Sequence, residues 1–143
     1  MKNKTKSKTE KKIKTKAWHR KKATELAKKI AVIRDGGTCQ KPGCGRSKDT
    51  GYQIHGSHIL SVGAHPALCA ELKNIKALCA TCHSPGFKGS WHEDPAGNLA
   101  PDGWFHKKYP GRIKYLLKLE KKIAGNQDWE VVHNNLKQKL KEL

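Results

Sequence analysis

Four of the five cysteines fall in two short-spaced pairs, Cys39-Gln-Lys-Pro-Gly-Cys44 and Cys79-Ala-Thr-Cys82. Each pair can sit on one tight turn and give two thiolates to the same ion, so the spacing predicts a shared tetrahedral structural zinc. Pro42 and Gly43 favour a turn whose backbone N–H groups can point at the sulfurs and stabilise the thiolate. The alternative is a set of buried free thiols, which is how Cys69, with no near partner, reads. Between the pairs lie His55-Gly-Ser-His58-Ile59 and then Asn74, and His83 directly follows Cys82. A histidine, with an ordinary pKa of about 6.5, can take or hold a proton at neutral pH and can bind a metal when neutral. His65 precedes Pro66 in a predicted loop and reads as structural or solvent-facing. His19, His106 and His133 lie outside the constellation and read as surface or satisfied core residues.

The elements that must position these groups have little material to work with. The chain has 143 residues, 36% of them hydrophobic, which allows one modest domain. A unit built around the cysteines is small enough to need a metal staple beside its apolar core. The formal net charge is +18, and residues 1–35 hold fourteen Lys or Arg against three acids. Such a field concentrates polyanions and releases their condensed counterions, so nucleic acid is the expected partner. A merely solvated arm or an anionic membrane surface are the other readings. No run of eighteen apolar residues occurs and the basic N-terminus leads into no apolar signal core, so neither a membrane span nor a secretory signal is expected. The expected compartment is reducing and cytoplasmic, where paired cysteines bind metal rather than form disulfides.

Residues 1–16 lack apolar periodicity and read as a disordered basic arm. Ala23, Leu26, Ala27, Ile30 and Ile33 then recur at helical spacing, so a basic amphipathic helix is expected over 17–35, ended by Asp35-Gly36-Gly37. Trp18 could pack on its hydrophobic face or stack on a base. Tyr52, Ile54 and Ile59 suggest a strand between Tyr52 and Ser61, with Gly51 and Gly56 at turns or close approaches. A second strand within Ala64–Leu72, followed by a helix or knuckle from Asn74 to His83, would complete a ββα unit around the metal. The Gly- and Pro-rich stretch 87–103 carries Trp91 and His92 and reads as a loop. A helix is expected from Arg112 to Ala124 and another after Asp128 as N-cap, with Trp129, Val132, Leu136, Leu140 and Leu143 on one face. The expected class is α+β: a core over 36–110 flanked by α-helices, the last of them in 111–143.

The cysteine pairs, Ser57-His58-Ile59, Asn74 and Cys79-x2-Cys82-His83 together resemble the HNH endonuclease superfamily of the ββα-metal, or His-Me finger, fold. Gly56 to Pro66, Asn74 to Cys79, Trp91-His92 and Trp104-Phe105 ahead of Pro110 are similar to phage HNH proteins of the NinG (Rap) recombination-endonuclease type. The resemblance covers residues 39–120. It implies metal-dependent phosphodiester hydrolysis of double-stranded or branched DNA, with His58 as general base, Asn74 tying the hairpin loop and His83 as ligand of one catalytic divalent ion (Mg²⁺, Mn²⁺, Ni²⁺ or Zn²⁺). It also implies a phage origin and hence a host-cell cytoplasmic setting. Two departures stand out. Ser57 occupies a position where many relatives carry an Asp or His ligand, for which His55 is the substitute. The histidine expected one helical turn after His83 is deferred by an insertion to His92. Lys11, Lys12, Lys14, Lys16, Arg20, Lys21 and Lys22 are the expected phosphate contacts, which cannot separate DNA from RNA. A non-catalytic zinc-knuckle nucleic-acid-binding protein is the alternative function, and either a monomer or a homodimer fits.

Overall fold

The first helix, α1 (Lys16–Arg34), starts where Thr15 caps it: the threonine hydroxyl accepts the Trp18 N–H at 3.1 Å, filling one of the donors a helix start leaves open. The computed structural model describes residues 13–83 and 103–143. α1 therefore begins one residue earlier than its periodicity suggests, and Lys16 belongs to it. Its buried stripe is Ala23, Ala27, Ile30, Ala31 and Val32, while Ile33, expected inward, is 45% exposed. The last turn is gripped from two sides, which explains the shift. Val32 belongs to one buried cluster with Ile54, Leu78 and Phe105, and Ala31 to another with Ile75 and Leu136.

Gly36 and Gly37 follow with φ near +68° and +65°, the left-handed conformation that ends helices at low cost when the residue is glycine. Arg34 and Asp35 do more than terminate α1. The Arg34 guanidinium donates to the Leu72 and Ile75 carbonyls at 2.8 and 2.6 Å, and the Asp35 carboxylate accepts the Ala77 N–H at 2.9 Å. Gln40 N–H adds a bond to the Ala77 carbonyl at 2.8 Å. These groups cover the free edge of a strand whose backbone would otherwise be buried unpaired.

That strand is β2 (Ile75–Cys79), antiparallel to β1 (Ile54–His58), with His55 opposite Leu78, Ser57 opposite Lys76 and His58 opposite Ile75. A second strand within Ala64–Leu72 is thus incorrect: Pro66–Leu68 and Leu72–Asn74 form 3₁₀ turns, and the strand comes after them. Pro66 has no N–H for a ladder and favours a turn start. All five residues of β2 are buried, including Lys76, so both faces are covered and the period-2 alternation that marks a half-buried strand is missing. One helical turn, α2 (Ala80–His83), completes a strand–loop–strand–helix order. Gly56 is the close approach: a Cβ there would stand 2.7 Å from the Lys28 Cα, so β1 lies directly on the α1 backbone.

α3 (Trp104–Lys108) seats Phe105, fully buried, against the sheet, and α4 (Arg112–Ile123) packs on the 3₁₀ turns. Three contacts fasten that packing. His65 Nδ1 meets the Glu120 carboxylate at 2.9 Å, Arg112 donates to the Lys73 carbonyl at 3.1 Å, and Gln127 donates to the Ala67 carbonyl at 3.1 Å. α5 (Trp129–Lys141) begins at Asp128, whose carboxylate accepts the N–H groups of Glu130 and Val131, and lies along α1. Val132, Leu136 and Leu140 face α1, but Leu143 is 62% exposed, past the end of the helix it would pack against. Among the described residues no helix is long and apolar enough to cross a membrane. The architecture is a mixed one of helices around a small two-stranded sheet.

Candidate metal centre and histidine site

Cys39, Cys44, Cys79 and Cys82 converge, with all four sulfurs within 4.8 Å of one another. Cys44 Sγ lies 3.7 Å from Cys79 Sγ and 4.0 Å from Cys82 Sγ. Four thiolates about 2.3 Å from a tetrahedral zinc stand roughly 3.8 Å apart, so the donor type, number and spacing fit a structural zinc ion. The first pair is carried on a knuckle that opens with the Thr38–Ser47 bridge and is held by the Cys39 N–H to the Arg46 carbonyl at 2.8 Å. The second pair comes from the end of β2 and the start of α2.

The thiols are not equivalent. Burial pushes Cys39 up to about 11 and raises Cys82 further, with neighbouring thiols adding to both. Burial also opposes the Cys79 thiolate, but the Cys82 backbone N–H and donors from Cys82, Cys44 and Arg46 outweigh it and bring Cys79 down to about 7. Arg46 Nη1 is 3.9 Å from that sulfur. Cys79 is therefore the first thiolate, and a divalent cation at the centre would draw the others after it. Arg46 is a site residue that the sequence motifs do not mark. Its one signal is a cation two residues past a ligand cysteine.

His55 and His83 come together beside this centre, with Nδ1 atoms 3.1 Å apart and rings edge-on at 81°. Two imidazole nitrogens about 2.1 Å from one ion, at angles between octahedral and tetrahedral, would stand roughly 3.0–3.4 Å apart. The pair could thus serve as two ligands of a second ion, as well as share one proton without a metal. His92, the third expected donor, lies outside the described residues.

His58 faces the other way. It shares the Ile54–Gly56 face of β1, the face laid on α1, whereas His55 and Ser57 alternate to the opposite face. Its Nε2 lies 2.7 Å from the Cys69 carbonyl, which can only accept, so Nε2 carries the proton and Nδ1 remains the basic nitrogen. Burial lowers the His58 pKa and Lys28 lowers it further, against the Cys69 carbonyl, so the ring is neutral at neutral pH. Asn74, fully buried, accepts the Leu60 N–H at 2.9 Å and donates to the Leu60 and Leu68 carbonyls at 3.1 and 3.2 Å. It ties down the loop over 59–74 whose Cys69 carbonyl orients His58. Cys69 is a buried thiol apart from the cluster. The structure therefore joins His58 to Asn74 through one loop and His55 to His83 through one contact, and strand alternation divides the two pairs.

Of the expected phosphate contacts, Lys16, Arg20 and Lys21 are exposed on α1. Lys14 and Lys22 hold their ammonium groups 4.8 and 5.9 Å from the Trp18 ring, and Lys22 also pairs with Glu25 at 3.5 Å. Lys11 and Lys12 lie outside the described residues. Trp18 packs edge-on against His19 and His133, whose Nδ1 atoms are 3.0 Å apart across the α1–α5 contact. Lys76, buried and 4.1 Å from the Tyr109 ring, is a further cation on the His55 face that no motif marks.

Comparisons with protein-family models, with curated proteins and with solved structures find no match for this chain.

Proposed function

We propose that the protein is a metal-dependent endonuclease of the HNH type, acting on DNA, with a structural zinc in the four-cysteine centre. The observation that carries the reading is the His55–His83 contact at the edge of that centre, two ring nitrogens at chelating separation on the face where the resemblance implies a catalytic ion. A divalent cation held by His83 and His55 would supply positive charge to the scissile phosphate and to the leaving oxygen. His58 is the base: its free Nδ1 takes a proton from water, the hydroxide oxygen bonds to phosphorus, and the bond from phosphorus to the 3′ oxygen breaks. Asn74 acts at one remove, by fixing the loop that fixes the ring.

The alternative, a zinc-knuckle nucleic-acid binder without catalysis, draws on two specific observations. Ser57 stands buried where a ligand would be, and His58 points to the opposite face of β1 from His55. A plasmid assay separates the readings: supercoiled DNA with Mg²⁺, Mn²⁺, Ni²⁺ or no added metal, wild type beside His58→Ala. The expected result is nicked or linear product that needs added metal and falls at least ~100-fold in the variant, the ordinary worth of a general base. Intact plasmid in every lane, with salt-sensitive binding retained, would establish the binder instead.

A further inference from the structure

Three depressions run end to end along one side of α1. The first, about 360 Å³, lies between the start of α1 and the turn into α5. The second, about 330 Å³, shares Lys16, Gly125, Gln127 and Trp129 with it and extends to Arg20. The third, about 350 Å³, takes over at Arg20 and continues past Lys21 to Lys28, where its outer wall is Val62 and Cys69. Lys16, Arg20 and Lys28 recur at multiples of four residues, so they follow one ridge, inclined to the helix axis, with Thr24 between them. Among the described residues none of these cations, nor Lys21, takes part in an ion pair. The carboxylates on the trough are otherwise engaged or few: Asp128 caps α5 and Glu25 pairs with Lys22, leaving Glu130.

The floor is not purely electrostatic. Trp129 and Gln127 line two of the depressions. From Lys16 to Lys28 the trough is roughly 18 Å long at 1.5 Å per residue. That is about five phosphates of a stacked strand at ~3.4 Å each. A duplex keeps its base faces stacked inward and could use only the rim, whereas a single strand can lay phosphates on the ridge and a base on the indole.

We infer that this trough is a binding track for single-stranded nucleic acid. It rests on the reading of the chain as a protein that acts on nucleic acid, and it adds a direction: the track ends at the Cys69 loop that holds His58. A strand lying in it is led to the loop that orients His58.

The test is fluorescence anisotropy with dT15, U15 and a 15-base-pair duplex, without added divalent ion so that cleavage plays no part. Lys16→Ala with Arg20→Ala should lower the salt slope for either single strand by about 1.4, at about 0.7 for each phosphate no longer neutralised. Trp129→Ala should weaken single-strand binding roughly 5- to 150-fold while leaving duplex binding within about twofold, and Trp129→Phe should restore most of it. dT15 and U15 affected alike mark recognition of the strand itself; an effect on one alone marks a track selective for DNA or RNA. Equal losses for duplex and single strands would overturn the single-strand assignment, and unchanged slopes would overturn the track. Normal cleavage with unchanged slopes would fail the track alone. Expected slopes with no cleavage under any metal would fail the nuclease reading alone.

Discussion

The four-cysteine centre and the histidine pair beside it share the short segment Cys79 to His83, yet they differ in kind. The centre has its full set of donors, carried on two short turns, and a guanidinium from Arg46 that favours its first thiolate. The His55–His83 pair brings two donors together among the described residues. A closed donor set suits a metal that holds a fold, and an open one suits a metal that must exchange ligands with a substrate. The contrast predicts that the two sites respond to perturbation on different scales.

Breaking the centre should have the largest effect. The central unit is small, and besides the sulfurs its knuckle meets β2 through the Gln40 N–H on the Ala77 carbonyl and Arg46 beside Cys79, so Cys82→Ser or a zinc chelator should unfold it. The loss is expected to consume most of a stability on the order of 5–15 kcal/mol, read as collapse of the cooperative transition in thermal melts followed by circular dichroism. His83→Ala, one residue away, should leave that transition in place and abolish only metal-dependent cleavage. Unfolding of both variants alike would make the histidine pair part of the scaffold.

Asn74→Ala should come next, at about 2–4 kcal/mol, because it takes from the Leu60 N–H and carbonyl the partner that the loop over 59–74 is wrapped around, and one of two from the Leu68 carbonyl. Urea denaturation measures this. The same variant should lower cleavage although Asn74 contacts no substrate, since the Cys69 carbonyl that sets the His58 tautomer belongs to the loop it holds. Loss of stability with undiminished turnover would separate the loop from the base.

The third expected effect concerns the other face of β1. Gly56→Ala places a methyl group 2.7 Å from the backbone of Lys28, which has no flexible end to move, and should cost about 1–3 kcal/mol by pushing the sheet off α1. Gly63→Ala, in open space, should stay within roughly 0.5 kcal/mol and serves as the control. Equal effects in urea would mean that the close approach of sheet and helix is not tight in solution.

These sites are unequally legible in the sequence. Cysteine spacing points to the four-sulfur cluster because short pairs constrain geometry locally. α1, α4 and α5 show in their apolar periods and in caps such as Asp128. β2 is hidden, and a strand over 64–72 suggested in its place, because its five residues are covered on both faces, which erases alternation, and because Lys76 interrupts the apolar run while being buried against Tyr109. The clasp of Arg34 and Asp35 on β2 is invisible, since a residue that ends a helix and one that satisfies a distant strand edge look the same in sequence. His55 beside His83 is legible only as a substitute ligand. That His58 lies on the opposite face follows from strand alternation, but its contact with Cys69 depends on the path of the loop, which no local pattern records.

The smallest expected effect sharpens the division between the α1 side and the metal side. Two histidines on the α1 side have lowered pKa values: His58, through burial and Lys28, and His133, through burial, Lys137, His19 and Lys22. In the unfolded chain both return to the ordinary value of 6.5. Below 6.5 the unfolded state therefore binds more protons than the folded one, and stability falls as the pH drops through 6.5 toward the folded values. The slope is at most about 1.4 kcal/mol per pH unit for each histidine. Urea midpoints between about pH 5.5 and 7.5, a range above ordinary carboxylate titration, should show this decline, and His58→Gln and His133→Gln should each remove part of it. If both variants keep the full slope, the protons are taken up elsewhere in the molecule and the α1 contacts do not sense pH at all.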